Sequence, residues 1–432
     1  MKDWFQIILL IVFGAALIIG VLVFSGIIPG YSGGLANNSI RLTLWGTNSL
    51  PVMEPVINEV NKAAKKQFSI NYVYKAPEQL ESDLVEALTQ GAGPDLLLFN
   101  DTMIIRQRNK LTPFDAKTYP LATFKNNFVE GAQIFIAPEG VLALPLTIDP
   151  LMLYYNRDLV TNAGIVRVPE RWSEVLNIVN NLTVFGDNKI IKQSAIALGE
   201  STNVPHAKDI VALLSMQAGT PITAYERGIP VSNLADAYGF VPAPAEAAID
   251  FYTQFAAPTK TTYTWSRALP NAQDFFTIGS LALYLGYASE RPRLVVKNPN
   301  LNFDAAIIPQ RDQTSRKQTI GRFQGVAVVR STKQLAAAQA AAKLLAAPES
   351  VALMADQLGV APARRDLLAA GVESAFGTVV YQSALLARTW LDPDPTQSNR
   401  IFNLLIDAVG TGRVLSAQAV RRADDELNAL MK

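Results

Sequence analysis

The feature that most constrains the fold is an alternation of short apolar strands with amphipathic helices, which begins at Ile40. The segment IRLTLW alternates in the manner of a strand, and the segment after it places valines at helical spacing. The predicted order is strand, helix, strand, helix, strand, over residues 40–45, 51–66, 68–74, 77–89 and 95–99. Short strands that alternate with helices form a parallel sheet covered on both faces. The pattern therefore predicts an α/β fold.

A second series of the same kind follows Pro145. Its predicted elements are a strand, a helix that opens at Pro169, a strand, a helix and a strand, which include residues 152–156, 169–182, 194–198, 207–217 and 281–286. Two helices, at 333–346 and 416–431, are expected to pack outside. Two doubly wound sheets of similar size, joined by short crossings, leave a cleft between two lobes.

Polar and aromatic residues follow the predicted strands of the first series. Open parallel sheets bind ligands at the carboxyl ends of their strands. Trp45 ends the first strand, and Phe99, Asn100 and Asp101 end the third. We therefore expect these four side chains to gather at one rim of the cleft.

Composition limits the chemistry that the chain can perform. The 432 residues carry a net charge of +1 and form no basic cluster, which argues against a nucleic-acid partner. The chain has no cysteine, so disulfides, thiolate metal sites, a cysteine nucleophile and a lipid on an N-terminal cysteine are excluded. His206 is the single histidine, for which we expect a structural or surface role. No cofactor or metal is predicted.

An uncharged apolar segment occupies residues 5–28. As a helix of 24 residues it would extend about 36 Å, enough to cross a bilayer with some tilt. It exceeds the apolar core of a cleaved signal peptide, which favours an uncleaved signal anchor. The small residues of GGLANNS leave cleavage near Ala36 as the alternative.

The charges beside this segment predict its orientation. Lys2 precedes the segment, and no basic residue follows it before Arg41, which favours an N-terminus inside the cell. Residues 29–39 are rich in Gly, Ser and Asn and read as a flexible tether. The folded body is then expected on the extracytoplasmic side of the cytoplasmic membrane.

Four segments of the body, at residues 91–101, 143–165, 275–291 and 305–366, resemble family 1 extracellular solute-binding proteins of ABC importers. They follow one another in the family's order over roughly residues 40–366. Two are GAGPDLLLFND at 91–101 and ALPLTIDPLMLYYNRDLVTNAGI at 143–165, the latter followed by VPERWSEV. The others are FFTIGSLALYLGYASER at 275–291 and the return segment, AAIIPQR at 305–311 with the run from FQGVAVV to ARRD at 323–366.

The resemblance implies the two-lobed fold of type II periplasmic binding proteins, without catalytic activity. It implies ABC permease subunits as partners, and we expect a monomer. Residues 40–148 with 304–346 are predicted to form the first lobe, and 149–303 with 347–432 the second. Hinge strands are expected near residues 147–150 and 304–309.

A sugar or oligosaccharide is the expected ligand, because aromatic side chains can stack on its faces while charged groups and amides bind its hydroxyls. The resemblance places Asp101 and Asp149 on the cleft as acceptors. Trp172 and Trp265 are assigned to packing or surface. The other predicted ligand contacts are five aromatic residues and three rim donors: Trp45, Phe99, Tyr154, Tyr287, Trp390, Asn48, Asn100 and Arg322.

The sequence is also compatible with two other functions and with several other ligands. Two carboxylates across a cleft would also suit a glycosidase. A tethered sensor or adhesion module without a transporter is a further alternative. Tyr287 and Ala288 stand where many sugar binders of the resembled family carry a tryptophan. Glycerol-phosphate-like compounds, peptides and other polar solutes therefore remain alternatives to a sugar.

Overall fold

A computed structural model describes residues 40–312 and 316–431, together with Trp4 and Phe13. Apart from Phe13, the predicted membrane anchor and the predicted tether lie outside these residues. In the described part of the chain, no helix combines the length and the apolar character needed to cross a membrane.

The described residues form strands and helices in alternation over most of their length. The strands are β1 Ile40–Gly46, β2 Phe68–Tyr74, β3 Leu96–Asn100, β4 Ile136–Ala137, β5 Gly140–Val141, β6 Leu144–Asn156, β7 Val184–Phe185, β8 Ile191–Ile196, β9 Thr223–Glu226, β10 Ile229–Ser232, β11 Leu281–Tyr287, β12 Phe303–Ala306, β13 Thr319–Val328, β14 Ala361–Pro362 and β15 Ala387–Arg388.

The helices are mostly short and amphipathic. They are α1 Leu50–Ala63, α2 Leu80–Thr89, α3 Ile104–Gln107, α4 Leu121–Asn127, α5 Arg157–Asn162, α6 Trp172–Leu182, α7 Ala207–Ala218, α8 Pro244–Thr253, α9 Ala272–Thr277, α10 Arg291–Lys297, α11 Leu335–Leu345, α12 Pro348–Leu358, α13 Arg365–Ala370, α14 Ala375–Leu386, α15 Pro395–Gly410 and α16 Ser416–Leu430.

The predicted βαβαβ start of the body is confirmed. β1 pairs in parallel with β2 along its whole length, and with β3 through Leu44 and Trp45. α1 buries Met53, Val56 and Val60 against this sheet. We call the part around β1, β2 and β3 the first lobe, and the part around β8 and β11 the second lobe.

One long strand, β6, connects the two lobes. Its residues 144–150 pair with β13, which in turn pairs with β3 of the first lobe. From Leu151 onward β6 pairs instead with β11, and from Leu153 also with β12. The sheet order is therefore continuous, β2-β1-β3-β13-β6-β11-β8-β7, and the change of partner falls between Pro150 and Leu151. The hinge strand predicted near residues 147–150 ends at this change of partner, and its bending stays a prediction.

Two of the predicted lobe bounds differ from the observed contacts. The sequence predicts residues 304–306 in the first lobe, but β12 pairs with Leu153–Asn156 in the second. The segment after residue 347 was assigned to the second lobe, but α12 packs against α1 in the first. The chain returns to the second lobe later, where α15 packs against α7. A short apolar segment does not show by its own pattern which of two sheets it joins, because that depends on its partner.

The interior of β6 gives a direct test of this arrangement. Leu153 is fully buried between β11 and β12. Leu153→Ala should lower the free energy of unfolding by about 2–5 kcal/mol, because it leaves a cavity in a packed core. Val166→Ala, at a fully exposed side chain, is the matched control and should change it by less than about 0.5 kcal/mol. Urea denaturation measures both, and similar values for the two variants would contradict the packing.

Candidate functional site

A cavity of about 650 Å³ lies between the two lobes. The first lobe contributes residues that follow β1 and β3, together with part of β13. The second lobe contributes the starts of α7 and α15 and the residues that follow β11. The predicted site residues that line the cavity are Asn48, Asn100, Asp101, Asp149, Tyr287, Arg322 and Trp390.

Strand register places the polar groups of the first lobe on one face of the sheet. Gln324 of β13 lies opposite Asn100 of β3 and Thr147 of β6, and all three line the cavity. The Gln324 side chain accepts a hydrogen bond from Asn48 at 2.8 Å and donates one to Asn100 at 3.1 Å. Gln324 was not predicted as a site residue. The three linked side-chain amides offer further donors and acceptors to the cavity.

Asp101 begins a short 3-10 turn directly after β3, and its side chain is buried. One carboxylate oxygen accepts the backbone N–H of Thr102 at 3.0 Å, and the other accepts the hydroxyl of Thr389 at 2.8 Å. Burial raises the pKa of Asp101 to about 7, although these hydrogen bonds and the charge of Arg322 act in the opposite direction.

Asp149 lies on β6 directly opposite Arg322 of β13. Its carboxylate accepts the backbone N–H of Ser289 at 3.0 Å and the Ser289 hydroxyl at 2.6 Å. Burial raises the pKa of Asp149 above its ordinary value, and the hydrogen bonds from Ser289 and the charge of Arg322 only partly offset this effect.

Arg322 of β13 connects the first-lobe side of the cavity to the second lobe. Its guanidinium carbon lies 3.7 Å from the centroid of the Tyr287 ring, and Nη2 lies 3.2 Å from Oδ2 of Asp209. The Tyr287 hydroxyl donates to the same oxygen at 2.7 Å. Burial acts to raise the pKa of Asp209, but Arg322 and Lys208 outweigh it and hold the pKa below its ordinary value. Tyr287, a predicted ligand contact, lines the cavity, but Arg322 covers a face of its ring.

A second ion pair lies at the start of α7. Lys208 Nζ is 2.6 Å from Oδ2 of Asp392 and 3.3 Å from the hydroxyl of Ser398, which also donates to Asp392. The same ammonium lies 5.8 Å from the centroid of the Trp390 ring, whose side chain is almost fully buried. Sequence reasoning missed Lys208, Asp209 and Asp392, although the predicted start of helix 207–217 marked the first two as residues of a helix terminus.

His206 also lines the cavity, and Glu290 holds its imidazole ring in place. Its Nε2 lies 2.6 Å from Glu290, which also accepts hydrogen bonds from Tyr284 and from the backbone of Tyr287. Burial would raise the pKa of Glu290, but His206 and these donors lower it to about 2. Among the described residues, no group of His, Asp and Glu is arranged to hold a metal ion.

Three predicted aromatic contacts do not lie on the cavity. Phe99 is fully buried and packs against Phe135 at a centroid distance of 6.2 Å. Tyr154 is buried, stacks on Tyr284 and donates its hydroxyl to the Tyr287 carbonyl at 2.9 Å. Trp45 is largely buried, and Lys75 Nζ lies 4.1 Å from its ring centroid.

Strand alternation explains the three misplacements. Successive side chains of a strand point to opposite faces. Phe99 therefore lies on the face opposite Asn100, and Trp45, paired with Leu97, lies on the same face as Phe99. Tyr154 is an odd number of residues from Asp149 and points away from the cavity for the same reason. Trp172 and Trp265 are buried, as a packing role predicts.

Solved structures of sugar-binding proteins share this fold. A cyclo/maltodextrin-binding protein complexed with maltotetraose superposes with a TM-score of 0.74 and 16% identity over 93% of this chain and 99% of that one. For the sugar-binding protein MalE from Xanthomonas citri the values are 0.72, 16%, 90% and 97%. For the GacH receptor of Streptomyces glaucescens, solved unliganded and with acarbose, they are 0.65, 17%, 91% and 98%. At such identities the likeness shows the fold alone.

Comparison at the level of sequence shows the family. No curated protein matches the chain. The profile of the family described as bacterial extracellular solute-binding protein matches residues 56–377, which cover more than half of the chain. The resemblance found in the four sequence segments is thereby confirmed, and the two-lobed α/β fold agrees with it. The chain belongs to the bacterial extracellular solute-binding protein family.

Proposed function

We propose that the chain is the substrate-binding component of an ABC importer and that it holds a carbohydrate between its two lobes. The observation that carries this proposal is the cavity of about 650 Å³, which both lobes line with hydrogen-bonding groups. Its size is within the range of small-molecule sites. Two of the structurally similar proteins were solved with maltotetraose and with acarbose, which supports a carbohydrate.

In this proposal the hydroxyl groups of the sugar bind the carboxylates and the linked amides. Asp101 and Asp149 accept hydroxyl protons, while Asn48, Asn100 and Arg322 donate. Charge-assisted hydrogen bonds contribute about 1.5–3 kcal/mol each, so a few of them hold an uncharged ligand selectively. Trp390 and Tyr287 supply apolar contacts, and Arg322 restricts stacking on Tyr287.

Closure of the lobes is the proposed mechanism. A ligand that touches both walls stabilises the arrangement in which the walls are near each other. The hinge would lie in β6 around Thr147–Pro150 and directly after β12, at residues 307–309, which are the second half of the predicted Asp304–Pro309. The segment after β15 forms a third crossing, because Thr389 bonds to Asp101 and Asp392 pairs with Lys208. Permease subunits would recognise the closed form.

We further propose that residues 5–28 anchor the chain in the cytoplasmic membrane with the body outside the cell. The length of this uncharged segment supports the proposal. Residues 29–39 would extend at most about 40 Å, which keeps a monomeric body close to its permease. The family is one of extracellular binding proteins, and we propose that the chain has no catalytic activity.

A ligand screen tests the proposed function. A carbohydrate at a hundred times its dissociation constant should raise the free energy of unfolding by about 2.7 kcal/mol, because it binds the folded state alone. Thermal denaturation over a panel of mono- and oligosaccharides measures this, and small-angle scattering should show a smaller radius of gyration with the ligand. Binding without compaction would contradict closure, and hydrolysis of a bound glycoside would contradict a purely binding role.

Asn100 tests the proposed contacts of the first lobe. Asn100→Ala removes one side-chain amide from the cavity and should raise the dissociation constant about three- to tenfold, the equivalent of one neutral hydrogen bond. Asn181→Ala, on the exposed surface of α6, is the matched control and should leave affinity unchanged. Isothermal titration calorimetry compares the two. Equal affinities would place the sugar elsewhere.

The anchor is tested by truncation. The full chain should remain in the membrane fraction after alkaline carbonate extraction, since that treatment releases proteins held by surface contacts. A chain that starts at Ile40 should be soluble and should bind the same ligand with the same affinity. N-terminal sequencing of the mature protein serves as the second measurement, and a start near Ala36 would contradict the anchor.

A further inference from the structure

The charged groups on the cavity wall are unequally paired. Lys208 pairs with Asp392, and Arg322 pairs with Asp209. Among the residues that the structure describes, no Lys, Arg or His lies within ion-pair distance of Asp101, nor does one lie within that distance of Asp149 on the other side. Both carboxyls are held by neutral donors. The cavity therefore has more carboxyl groups than cations in salt bridges.

The two unpaired carboxyls lie on either side of Arg322. β13 is flanked by β3 and β6. Asp149 lies on β6 directly opposite Arg322, and Asp101 directly follows β3, whose last residue, Asn100, lies opposite Gln324 of β13. Arg322 is the cation that acts on both carboxyls, and it already forms its ion pair with Asp209. One guanidinium thus faces three carboxyl groups.

Burial without a cation has a cost for a carboxylate. A buried charge is stable only when it is paired or hydrogen-bonded, and otherwise the group takes up a proton. The raised pKa values of Asp101 and Asp149 agree with this, and that of Asp101 lies at about 7. A proton on these groups can be replaced by a positive charge on the ligand, whereas a negative charge would add to the repulsion.

We propose that the cargo is a carbohydrate that carries a protonated amine, an amino sugar or an oligosaccharide of amino sugars, whose ammonium group binds beside Asp101 and Asp149. This inference rests on the proposed function and names the class of carbohydrate. Arg322 shows that a cation is accepted in the same cavity, between the Tyr287 ring and Asp209. Sugar phosphates and other anionic solutes are disfavoured for the same reason.

The test compares sugars that differ only in charge. The probes are glucosamine and its β-1,4-linked oligosaccharides, the N-acetylated form of each, and glucose with its β-1,4-linked oligosaccharides. Near pH 7 the full chain should bind the best amine at least about tenfold more tightly than its N-acetylated partner, as measured by calorimetry. Asp101→Asn and Asp149→Asn should each reduce that ratio toward one, whereas Asp356→Asn, at an exposed carboxylate outside the cavity, should retain it.

Proton release provides an independent measurement. Below its raised pKa of about 7 Asp101 is protonated, so binding of an ammonium near pH 7 should release protons and make the observed enthalpy depend on the ionisation enthalpy of the buffer. The preference for the amine should fall as the pH is lowered to about 5.5. Asp101→Asn should remove most of the buffer dependence, and a merely structural Asp101 would show none.

The outcomes separate the two proposals. Tight binding of the neutral sugars with no preference for the amine overturns the amino-sugar inference and leaves the carbohydrate function intact. Tighter binding of glucose 6-phosphate than of glucose overturns it as well. If no carbohydrate binds, both proposals fail. An amine preference that Asp101→Asn and Asp149→Asn leave unchanged contradicts the assignment to these two carboxyls.

Discussion

The shared strand β6 is the constraint on which the rest of the structure depends. Its first part belongs to the sheet of the first lobe, and its second part to that of the second. Because one continuous strand hydrogen-bonds in both sheets, the two lobes meet at a fixed position along it, between Pro150 and Leu151. The cavity is a consequence of this geometry, since the strand ends of one lobe face the helix starts of the other. In the proposed closure, bending of β6 together with the other two crossings would change the distance between the walls and leave both cores intact.

Electrostatics in the cavity follow from the same arrangement. Arg322 and Asp149 are opposed across β13 and β6, beside the point where the partner of β6 changes. Arg322 reaches Asp209 and Tyr287 of the second lobe, while Asp149 binds Ser289. About half of the Arg322 side chain is exposed, whereas Asp101 is buried, and burial makes an unpaired carboxylate costly. In the proposed function, the polar groups of the cavity would select a ligand by charge as well as by shape.

The polar part of the site was more predictable than the aromatic part. Asn100 ends a buried strand and Asp101 directly follows it, and open parallel sheets bind ligands at the carboxyl ends of their strands. Phe99 and Tyr154 are an odd number of residues from side chains on the cavity face of their strands, so they point to the opposite face, into the core. The sequence did not predict Gln324 or Lys208 because the partners of each are distant in the chain. Gln324 bonds to Asn48 and Asn100, and Lys208 pairs with Asp392.

The sequence by itself determined the α/β class, the first βαβαβ series, the family and the position of Asn100 and Asp101 at the carboxyl end of β3. These follow from local periodicity and from motif order, which do not depend on distant partners. Only the tertiary structure decided that β12 joins the second lobe, that α12 packs on the first, and that Arg322 covers Tyr287. Each of these depends on strand register and on contacts between residues far apart in the chain. A local sequence pattern does not predict such contacts, because the same apolar or charged side chain can pack or pair with many different partners.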